Sequence, residues 1–140
     1  MACPFFLPTH KSDDASWQHP SRLPLGAGWS GQCCAPGHVG ATPSDEELRD
    51  HCNLGYATCS RLPAQRTADA IRFSVACERG SLLELWFVCE RAHLPASHGK
   101  LQYDLAREQW LSTHPEPHIQ KMAECYVQAY VQRKIPSEIH

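Results

Sequence analysis

Residues 71–90, IRFSVACERGSLLELWFVCE, decide how the rest of the chain is read. From Ile71 to Cys77 apolar and polar side chains alternate, with Ile71, Phe73, Val75 and Cys77 on one side and Arg72 and Ser74 on the other. That period of two belongs to a half-buried strand. Glu78-Arg79-Gly80-Ser81 supplies a turn, and Leu82 to Glu90 repeats the alternation with Leu83, Leu85, Phe87 and Cys89 facing one way. A β-hairpin with one buried face is expected. After a loop over Arg91 to Gly99, Leu101 and Tyr103 predict a third short strand, giving an antiparallel three-stranded meander.

Downstream of the meander, Thr113 and Glu116 stand at the capping-box spacing, and Pro115 and Pro117 fall where a first helical turn tolerates proline. Ile119, Met122, Tyr126 and Tyr130, with Ala123 and Val127, recur at three and four residues. The spacing predicts a C-terminal amphipathic helix packed across the sheet. Upstream, Ser44-Asp45-Glu46-Glu47 carries a capping box with acidic residues in the first turn, so a short helix is expected from Asp45 to Cys52. Gly55 is placed to stop it in a left-handed conformation.

From Met1 to Gly31 there is little periodicity, and Pro4, Pro8, Pro20 and Pro24 punctuate the chain. This part reads as an extended wrap over other elements. The expected fold is α+β and the 140 residues fit one domain. Residues 1–66 form its irregular, cysteine-rich, metal-binding half with the short helix, and residues 67–134 form the sheet and C-terminal helix.

Composition excludes several function classes. Hydrophobic residues make up 42% and charged residues 20%, which favours a folded soluble chain over disorder or a membrane span. The longest apolar run, Leu82 to Cys89, is interrupted by Glu84 and is too short to cross a bilayer. The formal charge is −2 and Lys and Arg are scattered, so no footprint for nucleic acid is evident. The first residues, MACPFFLPTHKSDD, lack the basic start of a secretory signal, which predicts a cytoplasmic protein. In that reducing compartment eight cysteines are expected to be ligands, reactive groups or core residues rather than bridges.

Cys77, Cys89 and Cys125 fall on apolar faces and are expected to pack as small hydrophobes. Cys3, the Cys33-Cys34 pair, Cys52 and Cys59 instead lie in loops or at a helix end, beside Pro or Gly, where thiolates can converge and backbone amides can reach them. Of the adjacent pair, Cys33 is chosen because it is nearer the flexible Gly31, so the metal ligands are expected to be Cys3, Cys33, Cys52 and Cys59. Structural zinc usually draws on a tight C-x₂₋₄-C turn. Here eighteen residues separate Cys33 from Cys52 and six separate Cys52 from Cys59, so dispersed ligands favour an iron–sulfur cluster, 4Fe-4S, with zinc as the alternative. Phe5, Phe6, Trp17, Trp29 and Tyr56 are expected to shelter the centre, and His38 and His51 are near enough in sequence to serve as substitute ligands or hydrogen-bond donors.

His93 and His98 bracket the Leu94-Pro95 loop and are expected to be polar decoration of a hairpin connection. No phosphate-binding loop, nucleophile elbow or zincin helix is present. The favoured function is a small metal-binding protein whose cluster serves electron transfer, redox sensing or structural stapling, with a protein or redox partner of unknown identity. A zinc-stapled interaction module is one alternative. Another is a thiol-dependent enzyme in which Cys33 or Cys34 reacts with His38 as its base, and the sequence names no reaction for it.

Overall fold

Strand pairing builds most of the architecture. The computed structural model describes residues 2–13, 17, 22–54, 59–64, 66, 68–92 and 94–139 of the 140. The elements are β1 (Phe6–Lys11), β2 (Trp29–Cys33), α1 (Asp45–Glu47) continuing as a π-helical turn (Leu48–Cys52), β3 (Ala70–Arg79), β4 (Leu82–Arg91), β5 (Leu94–Asp104), β6 (Gln109–Ser112) and α2 (Pro117–Ile139). β1 and β2 pair as one antiparallel sheet, and β3, β4, β5 and β6 form a second in chain order. The fold is α+β as expected, with two corrections. The meander has four strands, and the N-terminal half contains a sheet of its own.

The expected hairpin forms, with Ile71↔Cys89, Phe73↔Phe87 and Val75↔Leu85 in register, and closes at Arg79↔Leu82 around Gly80, whose φ of 58° suits glycine. A bulge at Ala76 then exchanges the two faces. Cys77 pairs with Glu84 on the outer side, where its thiol donates to Glu84 Oε2 at 3.4 Å, so it does not join the core. Glu78, opposite Leu83, stays exposed, and the Tyr130 hydroxyl of α2 donates to its Oε1 at 2.6 Å. Cys89 and Cys125 are buried in the core as expected.

The loop expected over Arg91 to Gly99 is largely strand, because β5 starts at Leu94. Pro95 and Gly99 hide the pattern there. β6 pairs only with the end of β5, through Gln102↔Ser112, Tyr103↔Trp110 and Asp104↔Gln109, so Pro95 lies on an edge that needs no donor from it. Gly99 lies against the Phe87 ring, where a Cβ would stand 2.8 Å from Phe87 Cζ. The β5–β6 turn is held by the Asp104 carboxylate, which accepts from the amides of Ala106 at 2.9 Å and Arg107 at 3.1 Å.

α2 starts at Pro117, a favoured first helical residue, rather than under a Thr113 cap. The His114 amide donates to Gln120 Oε1 at 2.8 Å, and the Glu116 amide donates to His114 Nδ1 at 3.0 Å. Ile119, Met122, Ala123, Cys125, Val127 and Ala129 are buried, and Glu124, Gln128 and Gln132 form a narrow wet stripe. One continuous core joins Phe6, Leu25 and Trp29 to Ile71, Leu83, Leu85 and Met122. The expected wrap is therefore a structural layer. Ala2 exchanges two backbone hydrogen bonds of 2.8 Å with Ile71, and Pro8 pairs with Gly31, where a Cβ would come within 2.0 Å of the Leu7 carbonyl oxygen. Among the described residues no helix is long and apolar enough to cross a membrane.

Candidate functional site

Four of the dispersed cysteines are delivered by four different pieces of backbone. Cys3 follows the Ala2–Ile71 bridge, and its amide donates to the Cys52 carbonyl at 3.0 Å. Cys33 ends β2, and its amide donates to the Ala41 carbonyl while its own carbonyl accepts from Gly40, both at 2.9 Å. Cys52 ends the π-helical turn, and Cys59 opens the turn closed by the Leu62 amide on its carbonyl at 3.2 Å.

The turn carrying Cys52 is fixed at both ends. At its start the Ser44 amide donates to Glu47 Oε1 at 3.1 Å and the Glu47 amide donates to Ser44 Oγ at 3.2 Å, the expected capping box. At its end the amide of Asn53 donates to the Leu48 carbonyl at 3.0 Å, five residues back, which widens the helix as π-turns near functional sites often do. The Asn53 side chain is fully buried, and its Nδ2 donates to the carbonyls of Leu48 and Trp29 while its Oδ1 accepts from the Trp29 amide, all within 2.9 Å. This residue locks the Cys52 turn to β2. An asparagine just after a helix is an ordinary C-terminal signal, so nothing in the sequence separates this role from a common stop.

Cys3, Cys33, Cys52 and Cys59 line one small, largely enclosed cavity, closed by Phe6, Ala35 and Leu62 and flanked by His51 and Arg61. Arg61 Nη1 lies 2.5 Å from Glu47 Oε2, so its cationic group is held beside the thiols by the residue that also caps α1. Among the described residues, no group of three or more His, Cys, Asp or Glu side chains is set to hold a metal ion as it stands. The four cysteines line this one shared space.

Their electrostatics belong to one site. Burial, partly offset by the amides of Phe5 and Phe6 on its sulfur and reinforced by the charges of Cys33 and Cys59, pushes the Cys3 thiol up to about 11. Burial, followed by Cys3, Cys59, Cys33 and Glu47, pushes Cys52 up to about 12. The Ala35 amide also donates to Cys33 Sγ at 3.4 Å. These two thiols stay protonated near neutral pH unless a cation pays for their ionisation.

The remaining expectations divide. His51 lines the cavity, whereas His38 is exposed in the turn after Cys33 and does not. Cys34 lies outside it, with its amide donating to the Phe5 carbonyl at 2.7 Å, so Cys33 is the member of the pair that faces the shared space. Burial and then the charge of Cys33 push the Cys34 thiol upward, opposite to the activation a nucleophile needs. Among the described residues of the expected aromatic shelter, only Phe6 lines the cavity. Phe5 faces a second cavity, Trp29 is buried in the core with its indole N–H donating to the Leu25 carbonyl, and Trp17 packs against Gly28. Tyr56, Gly55 and His93 lie outside the described residues. His98 is exposed on β5 beside the Trp86 ring, 5.8 Å between centroids. Arg61 and Asn53 were not singled out as site residues by sequence reasoning. Comparison of the chain with protein-family models, curated proteins and solved structures gave no match in any of the three.

Proposed function

We propose that Cys3, Cys33, Cys52 and Cys59 hold an iron–sulfur cluster, 4Fe-4S, and that the protein carries or senses single electrons for a partner protein. The observation that carries this reading is the common cavity of four thiols brought from four separate backbone segments. Amides of Phe5, Phe6 and Ala35 already point at two of the sulfurs, the kind of N–H···S bonding that tunes cluster potentials. Phe6, Ala35 and Leu62 limit solvent access, and Arg61 offsets negative charge.

Spacing along the sequence is what favours this reading over zinc, which usually draws on a tight C-x₂₋₄-C turn. A tetrahedral zinc with bonds near 2.3 Å needs its sulfurs about 3.8 Å from one another. No such C-x₂₋₄-C pair is present here, and ligands spread eighteen and six residues apart are the ground for preferring a multinuclear centre. Cys52 belongs to the same core as Phe6, Trp29, Ile71 and Leu85, and Cys3 packs against it, so a bound centre would also brace the fold. When bound, such a cluster supplies reversible one-electron chemistry.

Anaerobic purification followed by iron, acid-labile sulfide and zinc analysis tests the reading. Brown protein with about four iron and four sulfide per chain and broad absorption near 400 nm is expected. Colourless protein with stoichiometric zinc would replace the cluster by a zinc staple. Protein without metal after anaerobic reconstitution would remove the centre altogether.

A further inference from the structure

The Cys3–Phe6 turn has two sides. Cys3 and Phe6 line the cysteine cavity, while Pro4 and Phe5 line a second cavity of about 330 Å³. That volume is at the lower end of ligand pockets, roughly 300–1,000 Å³. Its other walls come from Cys89 and Ser97, a cross-strand pair of β4 and β5, and from His114, Glu116 and His118 around the start of α2. The ladder breaks at this wall, because Ala96 is skipped between Cys89↔Ser97 and Glu90↔Pro95. Bulges of this kind commonly border binding sites.

The polar groups here are numerous and mostly uncharged. His114 Nδ1 accepts from the Glu116 amide, which leaves its other ring nitrogen as the proton carrier. The His118 ring donates to the Pro4 carbonyl, which leaves its second nitrogen as an acceptor. Burial lowers both imidazoles from their ordinary value, so both are neutral near pH 7. Among the described residues no Lys or Arg lines the cavity, and Glu116 stands at it. The first helical bond across the start of α2 runs from Gln120 to the Glu116 carbonyl, so the amides of His118 and Ile119 precede it and need other acceptors. Beside His114, the Gln120 Nε2 is buried without a hydrogen-bond partner among the described residues.

We propose that this cavity binds a small, uncharged, planar molecule through a primary carboxamide edge. The amide oxygen accepts from the donors at the start of α2, and the amide NH₂ donates to the free nitrogen of His118 or to Glu116. A carboxylate of the same shape offers no donor and meets Glu116 as a like charge. The site does not depend on what the four cysteines hold. Its wall is nevertheless the same turn whose amides reach Cys3, so an occupied pocket bears on that thiolate's surroundings.

Isothermal titration calorimetry of the full chain near neutral pH, with benzamide and benzoate as matched probes, tests this. Benzamide is expected to bind at least about tenfold more tightly than benzoate. His118→Ala is expected to weaken benzamide by about tenfold, and the exposed Glu116→Gln, which leaves the fold intact, to narrow the gap by strengthening benzoate. The proposal is overturned if benzoate binds as well as benzamide, if neither gives heat at millimolar concentration, or if both variants leave the two affinities unchanged.

Discussion

The backbone amide of Cys3 donates to the carbonyl of Cys52 at 3.0 Å, joining two of the four clustered thiols through the main chain itself. The polypeptide thus ties together the two segments that carry these sulfurs. Cys3→Ser, Cys52→Ser and Cys59→Ser are each expected to retain the far-ultraviolet circular dichroism of the parent while losing more than about half of the iron. Cys34→Ser, outside the cavity, is expected to load normally. Iron and sulfide analysis of the four variants checks both statements, and an equal loss in Cys34→Ser would move the ligand assignment.

Arg61 is held by Glu47 beside the thiols. Removing its charge from a site that gains an electron stabilises the oxidised form, so Arg61→Gln is expected to lower the reduction potential by on the order of tens of millivolts. Glu47→Gln should shift it the other way, since that carboxylate opposes the extra charge. Spectroelectrochemical titration reads both shifts. Identical potentials in parent and variants would show that solvent screens the pair.

Asn53 makes three side-chain hydrogen bonds in a fully buried position. Asn53→Leu leaves the Trp29 amide and two carbonyls with fewer partners, and is expected to cost about 3 kcal/mol. Urea denaturation of the metal-free protein measures it. A loss below about 0.5 kcal/mol would mean that water replaces the amide at little expense.

Asp69 accepts from the Ala92 amide at 2.8 Å and pairs with Arg66 at 2.5 Å. The Ala92 hydrogen bond and then Arg66 hold its carboxyl below the ordinary value of 3.8. A lowered native pKa gives stability that is complete above the unfolded carboxyl value and is lost as pH falls through the native one. The contribution of Asp69 should therefore persist through neutral pH and disappear only below about pH 4. Asp69→Asn should cost about 1–3 kcal/mol at pH 7 and much less at pH 3. Thermal melts at the two pH values provide the comparison.

The same contact explains Ala92, a non-glycine residue at φ 53°. Ala92→Gly relieves that strain and is expected to stabilise by about 0.5–1 kcal/mol. Gly31→Ala should do the reverse strongly, because the added methyl would meet the Leu7 carbonyl oxygen. Melting temperatures of the two variants should move in opposite directions.

What the sequence revealed follows from how local each signal is. Alternation placed the β3–β4 hairpin and the capping box placed α1, since both depend on neighbouring residues. The bulge at Ala76 and the edge position of Pro95 depend on partner strands, so Cys77 was put on the wrong face and the start of β5 was read as loop. β6 is four residues long, too short for its pattern to stand out. At the site, residue type and loop context singled out four cysteines that do share a cavity, yet the aromatic shelter was largely misplaced. Trp29 and Phe5 are near Cys33 and Cys3 in sequence, but Trp29 lies at the other end of β2 from Cys33 and a tight turn sends the Phe5 ring to the second cavity.

Ala2 is fully buried and stitched to Ile71 by two backbone hydrogen bonds, one residue ahead of the first clustered thiol. A side chain larger than alanine has no room at this position, so bulk added there would loosen the stitch and with it the turn that carries Cys3.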